Sequence, residues 1–503
     1  TGKYKVKYRV SAGPEEKARV IEKVEPAEFI FRTTQDMVVR PIRMKEVRLE
    51  ENSEGQSSIV LRIQLDRNIA YEDLELSKLR IYLTGPASLR YHLWFYFAYY
   101  FESISMIEVG GDNEQAQMIH DGHIEIPGLT DLENIQESDG ELLPYSKQQF
   151  QGFRLLQEYF ALPERFFFID LCGLDTFRAS EDGYPIEIKI TFQRKLHREY
   201  RPDMSNILLH CVPIINLFDR PVEEVPVNQR LPEYHIIPDL DRRKSREIYS
   251  VNSVVGIDEN RVEQFSYLPV TSYDILDTYD PEYEYKRFYS ITRRELKSDM
   301  AENYIRLFGP SMEQNEFPNE TLSLEATLSN GFLPAKYLEV GSITEPVDIP
   351  SGINVKNITA PTDVLPYPER KNYLWALISH LSLSYQSLAQ TDNLKTLLSL
   401  YNWSPSFNNP NKKRIESIQQ VHAPKTKNVY RNRGLIRGIE IKIELDGDQF
   451  EHGEGDLYLF GWVLNRFLTE YVTFNSYVML TLVNTENNKE YTWEPKLGKV
   501  LPV

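Results

Sequence analysis

The sequence predicts a strand-rich, multidomain α+β protein. Three observations lead there. Apolar and polar residues alternate, the period of a half-buried strand, in several separate stretches. The strongest stripes of helical period lie in the last third of the chain. A length of 503 residues, at roughly 150 per domain, makes about three domains.

In order along the chain, Tyr4, Val6, Tyr8 and Val10 alternate with Lys3, Lys5, Lys7 and Arg9. This predicts a strand whose cationic row suits the solvated face of a sheet edge. Ile59, Leu61, Ile63 and Leu65 repeat the alternation after a polar loop at 51–58, as do Leu79, Ile81 and Leu83 before Thr84-Gly85-Pro86. The aromatic run 88–101 reads as a helix pressed on a sheet, and a strand over 104–109 ends at Gly110-Gly111-Asp112. An acidic loop at 130–147 precedes a helix over 150–160, stopped by Pro163. Residues 166–171 read as a buried strand, and Ile186, Ile188, Ile190 and Phe192 as a half-exposed one. From 201 to 300 short strands and long connections are expected, with an exposed acidic, tyrosine-rich loop at 273–285.

Residues 340–368 are rich in Pro, Thr and Ser and read as a linker. Beyond it, Leu374, Leu377, Ile378, Leu381, Tyr385 and Leu388 form one stripe of a helix over 371–390. Leu394, Leu397, Leu398 and Tyr401 mark a short helix. Ile439, Ile441, Ile443 and Leu445 mark a strand. Phe460, Val463, Leu464, Phe467, Leu468 and Tyr471 mark an amphipathic helix over 456–471, and 477–483 a closing strand. The expected domains are 1–147 (β-rich, one helix), 148–365 (β-rich, ending in the linker) and 366–503 (α+β, two amphipathic helices).

The charge balance excludes some classes. With 57 Lys and Arg against 74 Asp and Glu, the net charge is −17, which argues against nucleic acid or an anionic membrane as main partner. The most apolar run, 91–101, is too short for a spanning helix of about 20 residues, so no membrane insertion is expected. The first ten residues form no signal-peptide core, and a first residue other than Met suggests a fragment or trimmed product. Cys172 and Cys211 lie in apolar stretches and read as buried free thiols, with a single bond between them the alternative.

Chemical motifs are sparse. His452-Gly453-Glu454-Gly455-Asp456 precedes a helix, but two acids would repel a phosphate, and Asp456 is better read as an N-cap. Ser379 and His380 sit on a predicted helix, where a serine lacks the exposed geometry of a nucleophile. His120 and His123 straddle a turn, and His210-Cys211 in a predicted strand would point to opposite faces. Acidic pairs arise by chance among 74 acids. No catalytic, cofactor or metal residues are therefore assigned, and no enzyme is expected. Thirty-one Tyr, 24 Phe and 5 Trp supply core, and also the anchors that interfaces favour.

Several segments together resemble the TssF family of type VI secretion baseplate proteins. They include 31–37 (FRTTQDM), 155–166 (LLQEYFALPERF), 211–218 (CVPIINLF), 233–239 (EYHIIPD) and 247–251 (EIYSV). The C-terminal part adds 377–385 (LISHLSLSY), 437–440 (RGIE), 456–464 (DLYLFGWVL) and 475–477 (NSY). The motifs occur in family order from about residue 29 onward; the family carries a further N-terminal helical region before the first of them, which is expected to be either removed or lacking in this branch.

The resemblance implies a structural wedge subunit. Two copies would pair with one TssG. Wedges would join TssE and TssK in a sixfold cytoplasmic platform around the VgrG spike, docked at the inner-membrane complex and seeding the sheath and tube. It also implies that no residue is catalytic. Two identical chains on one TssG cannot make equivalent contacts, so hinging at 340–368 and 130–147 is expected. Trp462, Tyr471, Phe467, Phe218 and Tyr249 are the candidate interface residues. The alternatives are a wedge component of another contractile particle or, from another class, a hydrolase using Ser379 and His380 or a ligand-binding β-protein with an aromatic cleft from 88–101 and 266–290.

Overall fold

The structure, a computed structural model, describes residues 3–8, 27–52, 55–65, 70–71, 74–110, 115–129, 142–143, 151–179, 184–228, 230–240, 245–258, 264–271, 286–295, 301–309, 319–347, 352–365, 372–381, 390–404, 409–422, 425–431, 434–470, 476–493 and 496–497. Strands dominate. Seven α-helices occur among these residues: α1 (Ala87–Tyr99), α2 (Gln151–Ala161), α3 (Leu333–Tyr337), α4 (Tyr373–Leu381), α5 (Thr391–Tyr401), α6 (Pro410–Glu416) and α7 (Glu454–Thr469). The α+β, strand-rich architecture expected from the alternating stretches is the one observed.

The chain divides into two compact units that interleave in sequence. One comprises Thr1–Thr33 and Ile214–Val364, the other Thr34–Pro213 and Leu365–Val503. This differs from the linear division at 147 and 365, because composition registers chain order and not which distant segments pair.

The first unit is built on an eight-stranded sheet whose longest strands, Glu247–Asp258 and Glu320–Ser329, pair antiparallel with two register shifts. A twelve-residue strand here departs from the short strands expected over 201–300. A four-stranded sheet places Ala27–Thr33 between Ile214–Ile215 and Lys3–Tyr8. Lys3–Tyr8 is also paired with Pro346–Val347, so it is not the sheet edge predicted. The side chains of its cationic row lie outside the described residues.

Alternation explains why Ala27–Thr33 is central: Phe29 and Phe31 enter one apolar cluster with Leu338 and Ile343, and Ile30 enters the other. Asn330, fully buried, ties these parts together. Its Nδ2 donates to the carbonyls of Glu28 (3.1 Å) and Ser245 (2.7 Å), and its backbone N–H donates to Asn216. Within 340–368, Asn357 donates to the carbonyls of Glu339 and Thr359 and accepts from the amide of Ile343. That stretch is pinned to the unit and is not a free linker in its described part.

The second unit carries three sheets. A five-stranded sheet runs Ile42–Glu51, Ser57–Leu65, Ile186–Phe192, Phe101–Glu108, Gln117–Ile119, and a four-stranded one centres on Lys78–Leu83 and Phe168–Cys172. The expected strand over 166–171 starts later. Pro163 opens a 3-10 helix to Phe167, because its fixed φ suits a helical first turn, and only Phe168–Cys172 is extended. In the third sheet Gly434–Leu445 and Ser476–Asn484 are parallel neighbours. Parallel strands need a crossover, and α7 supplies it. α4 is described to Leu381; Tyr385 and Leu388 of its expected stripe lie outside the described residues, as do Tyr471, the 273–285 loop and the 130–147 loop apart from 142–143.

Candidate functional site

α7 is buried almost all round, with Leu457, Leu459, Phe460, Val463, Leu464, Phe467 and Leu468 all inside. An amphipathic helix was expected; instead α1 and α2 cover the faces that solvent would have met. Its N-cap is Gly453, at a positive φ of 69°, not Asp456. Gly455 lets the first turn approach α1, since a Cβ there would strike the Tyr91 carbonyl. Gly461 likewise leaves room for Leu482 and Trp493. Gly455 and Gly461 thus serve close packing.

Asp456 instead anchors a buried polar centre. Arg414 donates from Nε to its Oδ1 (2.8 Å), from Nη1 to Asn411 Oδ1 (2.7 Å) and from Nη2 to the Tyr91 hydroxyl (3.1 Å). Asn411 in turn donates to the Phe160 carbonyl. Burial pushes the Asp456 carboxyl above its ordinary range, opposed by the Arg414 charge, and raises the Tyr159 hydroxyl as well. Perturbed groups of this kind mark active sites when they face a cleft. Here Arg414 is 4% exposed and Asp456 1%, so no substrate reaches them. The centre joins α1, α2, α6 and α7, segments more than 300 residues apart in sequence.

The remaining chemical candidates resolve similarly. Ser379 Oγ donates to the Trp375 carbonyl one turn earlier (2.7 Å), so its proton is committed to its own helix. The His380 side chain lies outside the described residues. His210 follows the strand Ile207–Leu209 instead of sitting in it, at φ 56°, and accepts from the Arg40 amide. Cys172 is buried and Cys211 half-buried, both as free thiols.

One group that spacing could not reveal is His123, Glu125 and Cys172, whose ligand atoms lie within 4.8 Å of one another. The Lys78 ammonium already contacts Glu125 (2.8 Å) and Asp170 (3.5 Å), and burial pushes the Cys172 thiol up to about 12. A neutral thiol beside an ammonium fits a structural cluster better than a cation site.

Ser88, His92, Tyr96, Tyr100, Tyr200 and His452 line a cleft of 460 Å³. Burial pushes His92 down to about 4, its ring stacks on Tyr200 at 3.9 Å, and its Nε2 is buried with no hydrogen-bond partner among the described residues. Among those residues nothing orients this imidazole against a nucleophile, as a hydrolytic couple requires.

The interface candidates separate by burial. Phe467 and Phe218 are core residues of their units. Trp462 is half-buried, 6.0 Å from Trp94 and 5.8 Å from Tyr458 between ring centroids. Tyr249 is about half exposed. Among the described residues, the largest apolar exposure on a helix belongs to Leu374, Trp375 and Ile378 of α4, each more than half exposed; Leu374 and Ile378 belong to the stripe read from the sequence, whereas Trp375 does not. A signal was present, since Tyr373–Leu381 holds no charged residue, unusual for a helix with a solvated face.

Comparison with known proteins settles the family. The family model for "Type VI secretion system, TssF" matches residues 1–500. The chain belongs to the TssF family. This TssF-family chain is 27% identical over 475 residues to Type VI secretion system component TssF1 of Pseudomonas aeruginosa, covering 89% of this chain and 73% of the relative. Its fold resembles a chain of the cryo-electron microscopy structure of the type VI secretion system TssK-TssF-TssG baseplate subcomplex. There the TM-score is 0.79 at 25% identity, over all of this chain and 88% of the other. A chain of a second solved structure, the baseplate complex from the type VI secretion system, matches in fold with a TM-score of 0.63 at 22% identity, covering 100% and 82%.

Proposed function

We propose that this chain is a structural wedge subunit of a type VI secretion baseplate, assembling with TssG-type and TssK-type subunits. The observation that carries this reading is the fold match along the entire chain to the TssK-TssF-TssG subcomplex. The sealed polar centre and the apolar outward face of α4 support it, since both suit a protein that acts by being held. The finer picture is pairing of two copies with one TssG, joining of six wedges with TssE around a VgrG spike, and a cytoplasmic platform docked at the inner-membrane complex. Catalysis has no part in this role. Among the described residues no helix is long and apolar enough to cross a membrane. The test is co-expression of the tagged chain with the TssG-type and TssK-type subunits of the same system. Co-elution of the partners is expected; a chain that elutes alone at working concentration contradicts the reading.

A further inference from the structure

We propose that the edge strand Ile42–Glu51 pairs antiparallel with the same strand of a second copy of this chain, about a two-fold axis at Leu49. The proposal rests on the two-copy reading above and adds where the copies meet. Ile42–Glu51 ends its five-stranded sheet: Ser57–Leu65 lies on one side, and among the described residues no strand pairs with the other. Asn52 donates its amide to the Gln56 carbonyl (3.1 Å). Hydrogen bonding alternates along an antiparallel ladder, so the amides of Glu50 and Arg48 face Ser57–Leu65, and the N–H and C=O groups of Val47, Leu49 and Glu51 face away. Among the described residues these outward groups have no backbone partner. A register shift between Met44 and Glu46, with exposed Lys45 inside it, blunts the first half of the edge. The second half has no bulge, proline or lysine, and an open edge of that kind is a template for another strand.

Charge selects both the occupant and the register. With Leu49 on the axis, Leu49 meets its own symmetry mate, Arg48 lies opposite Glu50, and Glu50 lies opposite Arg48. Opposite charges directly across a strand pair stabilise it. Centring on Arg48 or Glu50 sets like charges face to face, and centring on Val47 brings the Met44–Glu46 irregularity into the ladder. The charged face is already ordered. Arg48 donates to Glu187 (2.8 and 2.7 Å) and to Glu50 (3.0 Å), Lys189 donates to Glu50 (2.9 Å), and Arg62 donates to Glu187 (2.7 Å). Glu46 joins Arg48 (3.6 Å) and Arg62 (3.2 Å), so the cations and carboxylates of this face balance. The whole-chain charge of −17 is therefore not concentrated at the edge, and physiological salt screens it beyond about 8 Å. On the other face Glu51 is held by Lys195 (2.6 Å) and Arg198 (3.3 Å), so placing it opposite Val47 strands no charge. A foreign strand must reproduce this spacing of opposite charges; the strand itself already carries its complement.

The test uses the full-length chain co-expressed with the TssG-type subunit of its own system. Facing Cα atoms in a hydrogen-bonded antiparallel pair lie about 5.5 Å apart, inside the range of a disulfide. Leu49→Cys is expected to link two copies of the chain under oxidised glutathione. Arg43→Cys, exposed on the same strand, is expected not to link, because its symmetry mate lies about 40 Å away. The unsubstituted chain, with Cys172 buried and Cys211 half-buried, sets the background. Leu49→Lys, which puts two cations face to face, is expected to weaken self-association about tenfold in sedimentation of the full-length chain, with its tryptophan fluorescence still that of the folded state. No Leu49→Cys link above background overturns the edge pairing. So does an equal link in Arg43→Cys, a link to the partner subunit alone, or wild-type self-association of Leu49→Lys. A wild-type chain that captures no TssG-type subunit overturns the wedge reading instead.

Discussion

Arg414→Met removes the cation at the centre of the second unit while keeping most of the aliphatic bulk. Asp456, 1% exposed, would be left without the guanidinium it pairs with, and Asn411 and Tyr91 would each lose a donor. Breaking a buried pair by deleting one partner costs about 3–5 kcal/mol, since the stranded charge keeps its desolvation penalty. All five tryptophans, at 94, 375, 403, 462 and 493, belong to this unit, so tryptophan fluorescence in urea reports its unfolding selectively. The midpoint should fall by that free energy divided by the slope of the transition, with the slope itself unchanged. Arg414→Met/Asp456→Leu removes both charges and should recover at least half of the loss. A single variant costing less than about 1 kcal/mol, or a double variant no better than the single, refutes the reading of this centre as the staple of the unit.

Other perturbations have defined outcomes. Gly461→Ala forces a methyl group into Leu482 and Trp493 and should destabilise the second unit by about 1–3 kcal/mol in the same urea assay; wild-type stability would show that α7 can retreat from its sheet. His92 is held neutral down to about 4, below its ordinary 6.5, mainly by burial. On acidification the unfolded chain therefore takes up its proton first, and stability is lost as pH falls from 6.5 to 4. His92→Gln should flatten that loss in urea midpoints taken at pH 7.5 and 4.5, and equal pH slopes would contradict it.

Much of the architecture is legible where one face of an element meets one environment. Leu394, Leu397, Leu398 and Tyr401 are the buried stripe of α5, and Ile186, Ile188, Ile190 and Phe192 the buried row of their strand. Pattern reading fails where tertiary neighbours decide. α7 looks amphipathic until α1 and α2 are placed against it, and Asp456 reads as a cap until Arg414, 42 residues earlier, reaches it. The split into interleaved units is invisible to composition because Thr34–Pro213 and Leu365–Val503 share no local signal. Aromatic character alone does not distinguish Phe467, an interface candidate that fills a core, from Trp375, which was not a candidate and faces outward. The missing information is the orientation of each helix, which only its packing partners set.

The central claim is that this TssF-family chain works as a held component of a larger assembly. Light scattering on a size-exclusion column, with the chain mixed with the TssG-type subunit of its own system, tests it most directly. A single species is expected, with a mass corresponding to two copies of this 58.9 kDa chain bound to one partner. A lone monomer eluting beside a free partner at micromolar concentration would contradict it.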